Sequence, residues 1–188
     1  MRGKLLAGIS IAILIAIGAI AIYLASTQKP EKIRAPTFHL TSSAFENGER
    51  IPAKYTCDGL DLSPPLKWEG YPPETKSFAL IVEDPDAPGG TFTHWIIYNI
   101  PAEVNELEEG IEPAEELPSG AMQGINDFRK LGYGGPCPPP GKPHRYVFKL
   151  YALDSPLDLK PAASKDALLE AMKDHILAEA TLTGIYSR

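Results

Sequence analysis

Along this chain the apolar positions first run together, then alternate, and once recur with helical spacing. The uninterrupted run is "LLAGISIAILIAIGAIAIYLA", Leu5–Ala25, with neither a charge nor a proline. At ~1.5 Å rise per residue, a helix over it spans a ~30 Å hydrocarbon core. The run therefore predicts one N-terminal transmembrane helix. A cleaved signal has a shorter core of ~7–15 residues and a small-residue cleavage site. Tyr23-Leu24-Ala25 is a poor site of that kind, so residues 1–25 read as a retained signal anchor. No Cys lies near the end of the run, which argues against a lipid-anchored lipoprotein. Residues 26–36 are polar, include Pro30 and Pro36, and read as a tether.

From residue 37 onward strand patterns dominate. "SFALIVED" (Ser77–Asp84) is apolar and β-branched and stops at the turn "DPDAPGG". "HWIIYNI" (His94–Ile100) is apolar at successive positions, as a strand covered on both faces is. "HRYVFKLYAL" (His144–Leu153) sets His144, Tyr146, Phe148 and Leu150 against Arg145, Val147, Lys149 and Tyr151. Shorter strands are expected near Phe38–Leu40, Ile51–Tyr55, Pro65–Trp68 and Thr181–Tyr186. One helix is expected after the N-cap Ser164, with Leu168, Leu169, Met172, Ile176 and Leu177 as its apolar stripe. His175 borders that stripe as a surface residue. The elements sum to a mainly antiparallel β-sandwich with a helix near the C-terminus, occupying residues 37–188.

Composition adds limits. At 44% hydrophobic and 22% charged, the 188 residues fit one globular domain plus the apolar appendage. A net charge of −6 without any Lys/Arg run excludes general nucleic-acid binding. Seven glutamates fall between Glu103 and Glu116, interrupted by Gly110 and Pro113, and read first as a solvated acidic connection.

Strand ends collect the candidate chemistry. Asp84 closes one strand, Asp86 follows in a proline-braced turn, His94 opens the next strand, and His144 and Tyr146 open a later one. Residues i and i+2 share a strand face, ~7 Å apart, so His144 and Tyr146 point the same way. Just ahead of them "GYGGPCPPPGKP" cannot enter a helix or a sheet interior, because proline fixes φ and removes a donor. It predicts a rigid loop feeding a strand. Metal-ligand spacing of the H-E-x-x-H kind is absent, so no metal is expected. Cys57 and Cys137 fit one disulfide in an oxidising compartment. The alternatives are inert buried thiols, or a nucleophile with His94 or His144 as base in a Cys/His-dependent hydrolase.

"DPDAP" (Asp84–Pro88), "HWIIYNIP" (His94–Pro101), "GYGGPCPPPGKPHRYVFKLYALD" (Gly132–Asp154) and "IPAKYTCDGLDLSPPLKW" (Ile51–Trp68) occur in order. Together they closely resemble the phosphatidylethanolamine-binding protein family, in its bacterial and archaeal, Raf kinase inhibitor-like branch. The resemblance covers roughly Phe38 to the C-terminus. It implies a two-sheet Greek-key β fold with a small pocket for phosphate, acetate or a phosphoethanolamine head group. Matched by position, the pocket is Asp84, Asp86, His94, His144 and Tyr146, with the backbone of Gly134, Gly135 and Pro136 beside it. No catalytic residue and no cofactor are implied. A second implied role is inhibition of a protein kinase or protease.

Two carboxylates beside an anion need other partners, since like charges at ~4 Å repel by ~4 kcal/mol at an effective dielectric of 20. One Asp is expected to brace the "DPDAP" turn through backbone N–H groups, and the other to pair with a histidine. The Gly-Gly-Pro turn is expected to offer backbone N–H groups to the anion. Basic residues flank the apolar run on both sides, so charge does not orient it. The resemblance and the cysteines place the domain outside the cytoplasmic membrane, tethered by residues 1–25.

Overall fold

The computed structural model describes residues 37–188. Two antiparallel sheets make up the fold. The smaller has the order β1-β2-β5, from His39–Thr41, Leu66–Glu69 and Glu106–Leu107. The larger has the order β6-β4-β3-β7-β8, from Met122–Gln123, Phe92–Pro101, Ser77–Asp84, His144–Leu153 and Ile176–Tyr186. Helix α1, Lys165–Met172, packs on the outer face of the larger sheet.

This layering explains why β3 is buried at every position. Its even-numbered residues Phe78, Leu80 and Val82 face the core between the sheets, with Trp68, Trp95 and Phe148. Ala79 and Ile81 face the opposite way, under α1, with Ile96, Tyr98, Leu168 and Met172. A strand covered on both sides loses the alternation of a half-exposed one. Glu83 lies on the helix side and is charged nonetheless. Lys149 at 2.8 Å and Lys165 at 2.9 Å bracket it. Burial works against its ionised form, but the two ammonium groups hold its pKa below the ordinary value.

Three expectations need correction. The first is the transmembrane helix. Among the described residues no helix is long and apolar enough to cross a membrane. Helix α1 has 8 residues and so extends only ~12 Å. The expected anchor, Leu5–Ala25, and the tether at residues 26–36 lie outside the described residues. The membrane-anchored, extracytoplasmic location built on them is not carried forward.

The second concerns Ile51–Tyr55, which is no strand. Pro52 has no N–H to give a ladder, and Ala53–Tyr55 close instead into a 3-10 turn, with Tyr55 N–H donating to Pro52 O. The third is the length of the helix. It stops at Met172, where Lys173 is already extended in ψ and Asp174 adopts φ +66°. Ile176 and Leu177 belong to β8 and are exposed, so the apparent five-residue stripe joins two elements.

Candidate functional site

Strands β4, β3 and β7 lie side by side, and antiparallel pairing brings the end of β3 beside the starts of the other two. Asp84, His94 and His144 therefore meet at one edge. Alternation puts Asp84, His144 and Tyr146 on the inner face, in line with Val82 and Phe148. The same rule would send His94 to the outer face, because Trp95 points inward and Ile96 outward. A β-bulge reverses this. Val82 pairs with Trp95 while Glu83 pairs with Thr93, which leaves His94 as the extra residue. Its ring thereby comes to stand edge-on to Tyr146, with centroids 5.1 Å apart.

Asp84 organises one side. Its Oδ2 accepts from His144 Nδ1 at 2.8 Å, and its Oδ1 accepts from the Asp86 N–H at 2.8 Å. One carboxylate thus performs both tasks expected of two. Asp86 turns away: its Oδ2 and Oδ1 take the Nε and Nη2 of Arg145 at 2.8 and 2.7 Å. That fork, with the Arg145 backbone N–H, holds the Asp86 pKa down at about 2.

His94 Nδ1 lies 2.7 Å from Gly134 O. A carbonyl only accepts, so Nδ1 carries the proton, and in the neutral ring Nε2 keeps its lone pair. The rings of Phe92, Phe128 and Tyr146 stand edge-on around this imidazole at 4.7–5.3 Å separations within the cluster. Burial among them pushes the His94 pKa below its ordinary value, against the pull of Gly134 O and Asp84. Tyr146 is displaced the opposite way. Burial, then the charge of Asp84, raise its pKa, so the phenol keeps its proton. Its hydroxyl is buried close to Asp84 and the Cys137 backbone without a well-formed hydrogen bond to either.

These groups surround a cavity of ≈ 160 Å³, lined by Asp84, His94, His144 and Tyr146 on the polar side. Phe92, Phe128, Cys137 and Pro138 are among the apolar walls. A model of the family described as phosphatidylethanolamine-binding protein matches residues 41–187. The chain belongs to the phosphatidylethanolamine-binding protein family. A curated relative from Methanothermobacter thermautotrophicus, a UPF0098 protein, is 56% identical over 80% of this chain and 99% of its own. Another, from Aquifex aeolicus, is 53% identical over 78% of this chain and 86% of its own. Among solved structures, a phosphatidylethanolamine-binding protein homologue of Chlamydia trachomatis superposes with a TM-score of 0.75. It is 44% identical and matches 81% of this chain and 99% of its own. Escherichia coli YbcL, a member of the mammalian family, also has a TM-score of 0.75, at 38% identity over 80% and 98% of the two chains.

Against the pattern expected for this family, the glycine loop is the clearest difference. Gly134 N–H donates to His94 O at 3.0 Å, and Gly135 N–H donates to Asp61 Oδ1 at 2.7 Å. Both donors are committed inside the protein and neither faces the cavity as a free group. The glycines serve close packing instead. A Cβ at Gly134 would lie 2.6 Å from the Phe128 ring, and one at Gly135 2.5 Å from Tyr55 O. Pro136 O accepts from Cys57 N–H, and Cys57 and Cys137 are joined as a disulfide. As a disulfide, neither sulfur is the thiolate a Cys nucleophile requires. Among the described residues no group of three His, Cys, Asp or Glu is placed to hold a metal.

Sequence reasoning missed Phe92, Phe128, Asp61 and Arg145. Phe92 was within reach, since it stands two residues before His94 at a strand start. Phe128 and Asp61 arrive from distant loops and carry no local signal.

The burial of His94 has a measurable consequence. Its folded pKa is depressed, whereas in the unfolded chain the imidazole protonates near ~6.5. Below that pH the unfolded state binds more protons, so stability falls as pH drops and is fully present above ~6.5. Glu83 and Asp86, held below ordinary carboxylate values, lose their contributions only at lower pH. Urea unfolding from pH ~7.5 to ~5.5 is expected to show a declining free energy. Replacing His94 by Gln should flatten that slope, and an unchanged slope would mean that other groups cause it.

Proposed function

We propose that the cavity binds a small anion, a phosphate group or a carboxylate of similar size, as the head group of a phospholipid or phosphate monoester presents it. The observation that carries this reading is the buried, protonated Tyr146 hydroxyl, which has Asp84 and the Cys137 backbone nearby but no well-formed hydrogen bond, at a cavity that both imidazoles also line. An orphaned buried donor costs ~1–3 kcal/mol, and an acceptor entering the cavity recovers it. Both Nδ1 atoms are already engaged, so each ring is fixed and only Nε2 remains to meet a guest. At ≈ 160 Å³ the cavity falls below the ~300–1,000 Å³ of pockets for drug-sized ligands. The name of the family points in the same direction.

Asp84 opposes an anion, but its two oxygens are occupied by His144 and the Asp86 N–H. An anion also favours the protonated form of His94, which burial alone disfavours. Binding should therefore take up a proton. Affinity should be greatest at low pH and fall as pH rises through the raised, ligand-bound pKa of His94.

Calorimetry with phosphate and with acetate tests this. The expected result is one site per chain, with acetate affinity falling from pH ~5.5 to ~7.5. Acetate is the cleaner probe of pH, because phosphate itself ionises in this range. Tyr146→Phe should weaken binding about 5–10-fold while leaving the fold intact, the loss of roughly one hydrogen bond. Absence of binding at millimolar anion, or full affinity in Tyr146→Phe, would overturn the reading.

A further inference from the structure

The acidic segment after β4 forms a surface that the anion site does not use. Residues 104–119 wrap a groove of ≈ 660 Å³ that shares no lining residue with the cavity above. Its floor is apolar, formed by Val104, Leu107, Ile111, Ala114 and Leu117. Its rim carries Glu106, Glu108, Glu112 and Glu116, all exposed. Glu109 also lines the groove, but Lys54 at 2.6 Å and the Tyr55 hydroxyl at 2.6 Å compensate it. Among the described residues, no Lys or Arg lies within ion-pair distance of the four rim carboxylates. Lys67 faces Glu106 across the strands without pairing with it.

Beside one end of the same groove lies a short open sheet edge, the two residues Glu106–Leu107. Strand β5 ends the smaller sheet, with only β2 beside it. An open edge exposes backbone donors and acceptors, and proteins usually blunt it with short strands, proline or charged side chains, which bar strands of like charge. Here glutamates flank it. We infer that the groove binds an extended peptide segment of a partner protein, one that alternates apolar and Lys/Arg residues and lies along β5. Strand addition at Glu106–Leu107 supplies a short backbone anchor, alternate apolar side chains fill the floor beyond it, and the intervening cations meet the rim. Charge complementarity selects this occupant. Concentrated negative charge around an apolar floor repels anionic lipid surfaces and nucleic acid, and attracts a basic strand.

Isotope-labelled full-length protein titrated with three synthetic peptides of about eight residues, a length of about 26 Å when extended, tests the inference. The peptides repeat Lys-Val, Lys-Ser or Glu-Val. The Lys-Val peptide should bind saturably, with resonance changes concentrated in residues 104–119. Lys-Ser should bind at least tenfold more weakly for want of apolar contact, and Glu-Val not at all. In the double variant Glu108→Lys/Glu112→Lys, which alters exposed side chains only, Lys-Val affinity should fall about tenfold. Phosphate binding at the other site should be unaffected. Equal affinity for Lys-Ser and Lys-Val, changes centred elsewhere, or an unaffected double variant would each overturn it.

Discussion

Replacing both cysteines by serine is expected to lower the free energy of unfolding by about 4.5 kcal/mol. Cys57 and Cys137 are 80 residues apart in sequence, so the bridge closes a long loop in the unfolded chain. In the chain-entropy account, a loop of ~80 residues corresponds to ~4.5 kcal/mol at 25 °C. For a domain of this size, that is a fall in Tm of about 10–18 °C. Native contacts give a reason for the full effect to appear. The strap from Tyr133 to Cys137 is also held by Tyr133 to Tyr55 O, Gly135 to Asp61 and Cys57 to Pro136 O. These bonds keep the reduced protein folded in the same shape, so the loss falls on the unfolded state. Thermal and urea unfolding of the Cys57→Ser/Cys137→Ser variant measure it. A loss under about 1 kcal/mol would show that the reduced, unfolded chain already keeps the two segments together.

Asp84→Ala is expected to be the most damaging single change at the site. It removes the acceptor of two donors at once, His144 Nδ1–H and the Asp86 N–H. Asp84 and His144 are both buried, so water cannot readily replace the carboxylate. Stranding a buried donor costs ~1–3 kcal/mol, and more where the partner is charged, so a loss of about 3 kcal/mol is expected. Asp84→Asn, which keeps an oxygen acceptor and the volume, should lose less than half of that. Anion affinity should fall in both, because the His144 ring is no longer held in one orientation. If Asp84→Ala is as stable as the parent and binds phosphate equally well, Asp84 neither braces the turn nor positions the histidine.

How far the sequence reveals this molecule depends on the range of the interactions concerned. Ser77–Asp84 and His144–Leu153 have the bounds that their apolar pattern predicts, because burial on two faces makes the first an unbroken run and one buried face makes the start of the second alternate. Helical spacing runs past the end of the C-terminal helix because Leu168, Met172 and Ile176 satisfy it by coincidence, and only the backbone at Lys173 and Asp174 ends the helix. At the site, the residues of three strand ends were legible as a set, but their division of labour was not. Which aspartate meets His144 follows from where β3 ends, since Asp84 is its last residue and Asp86 lies beyond it in the turn. The engagement of Asp86 by Arg145 follows from parity along β7, one residue off the site face. The glycine loop is ambiguous in sequence for another reason. A Gly-Gly-Pro sequence records that backbone must come close to something, and here that something is Phe128 and the Tyr55–Asp61 segment.

The bulge in β4 has a consequence for how such sites persist among relatives. His94 reaches the inner face because one more residue stands between Thr93 and Trp95 than the ladder to β3 requires. What places the imidazole is therefore a count along the chain, independent of the identity of any side chain. A relative could keep the aspartate, both histidines and the tyrosine, lack the residue that precedes the first histidine here, and present that histidine to the helix layer. Comparison by residue identity alone would score such a chain as complete. The length of the segment from strand start to tryptophan is the character that separates chains with an assembled constellation from chains that merely spell one.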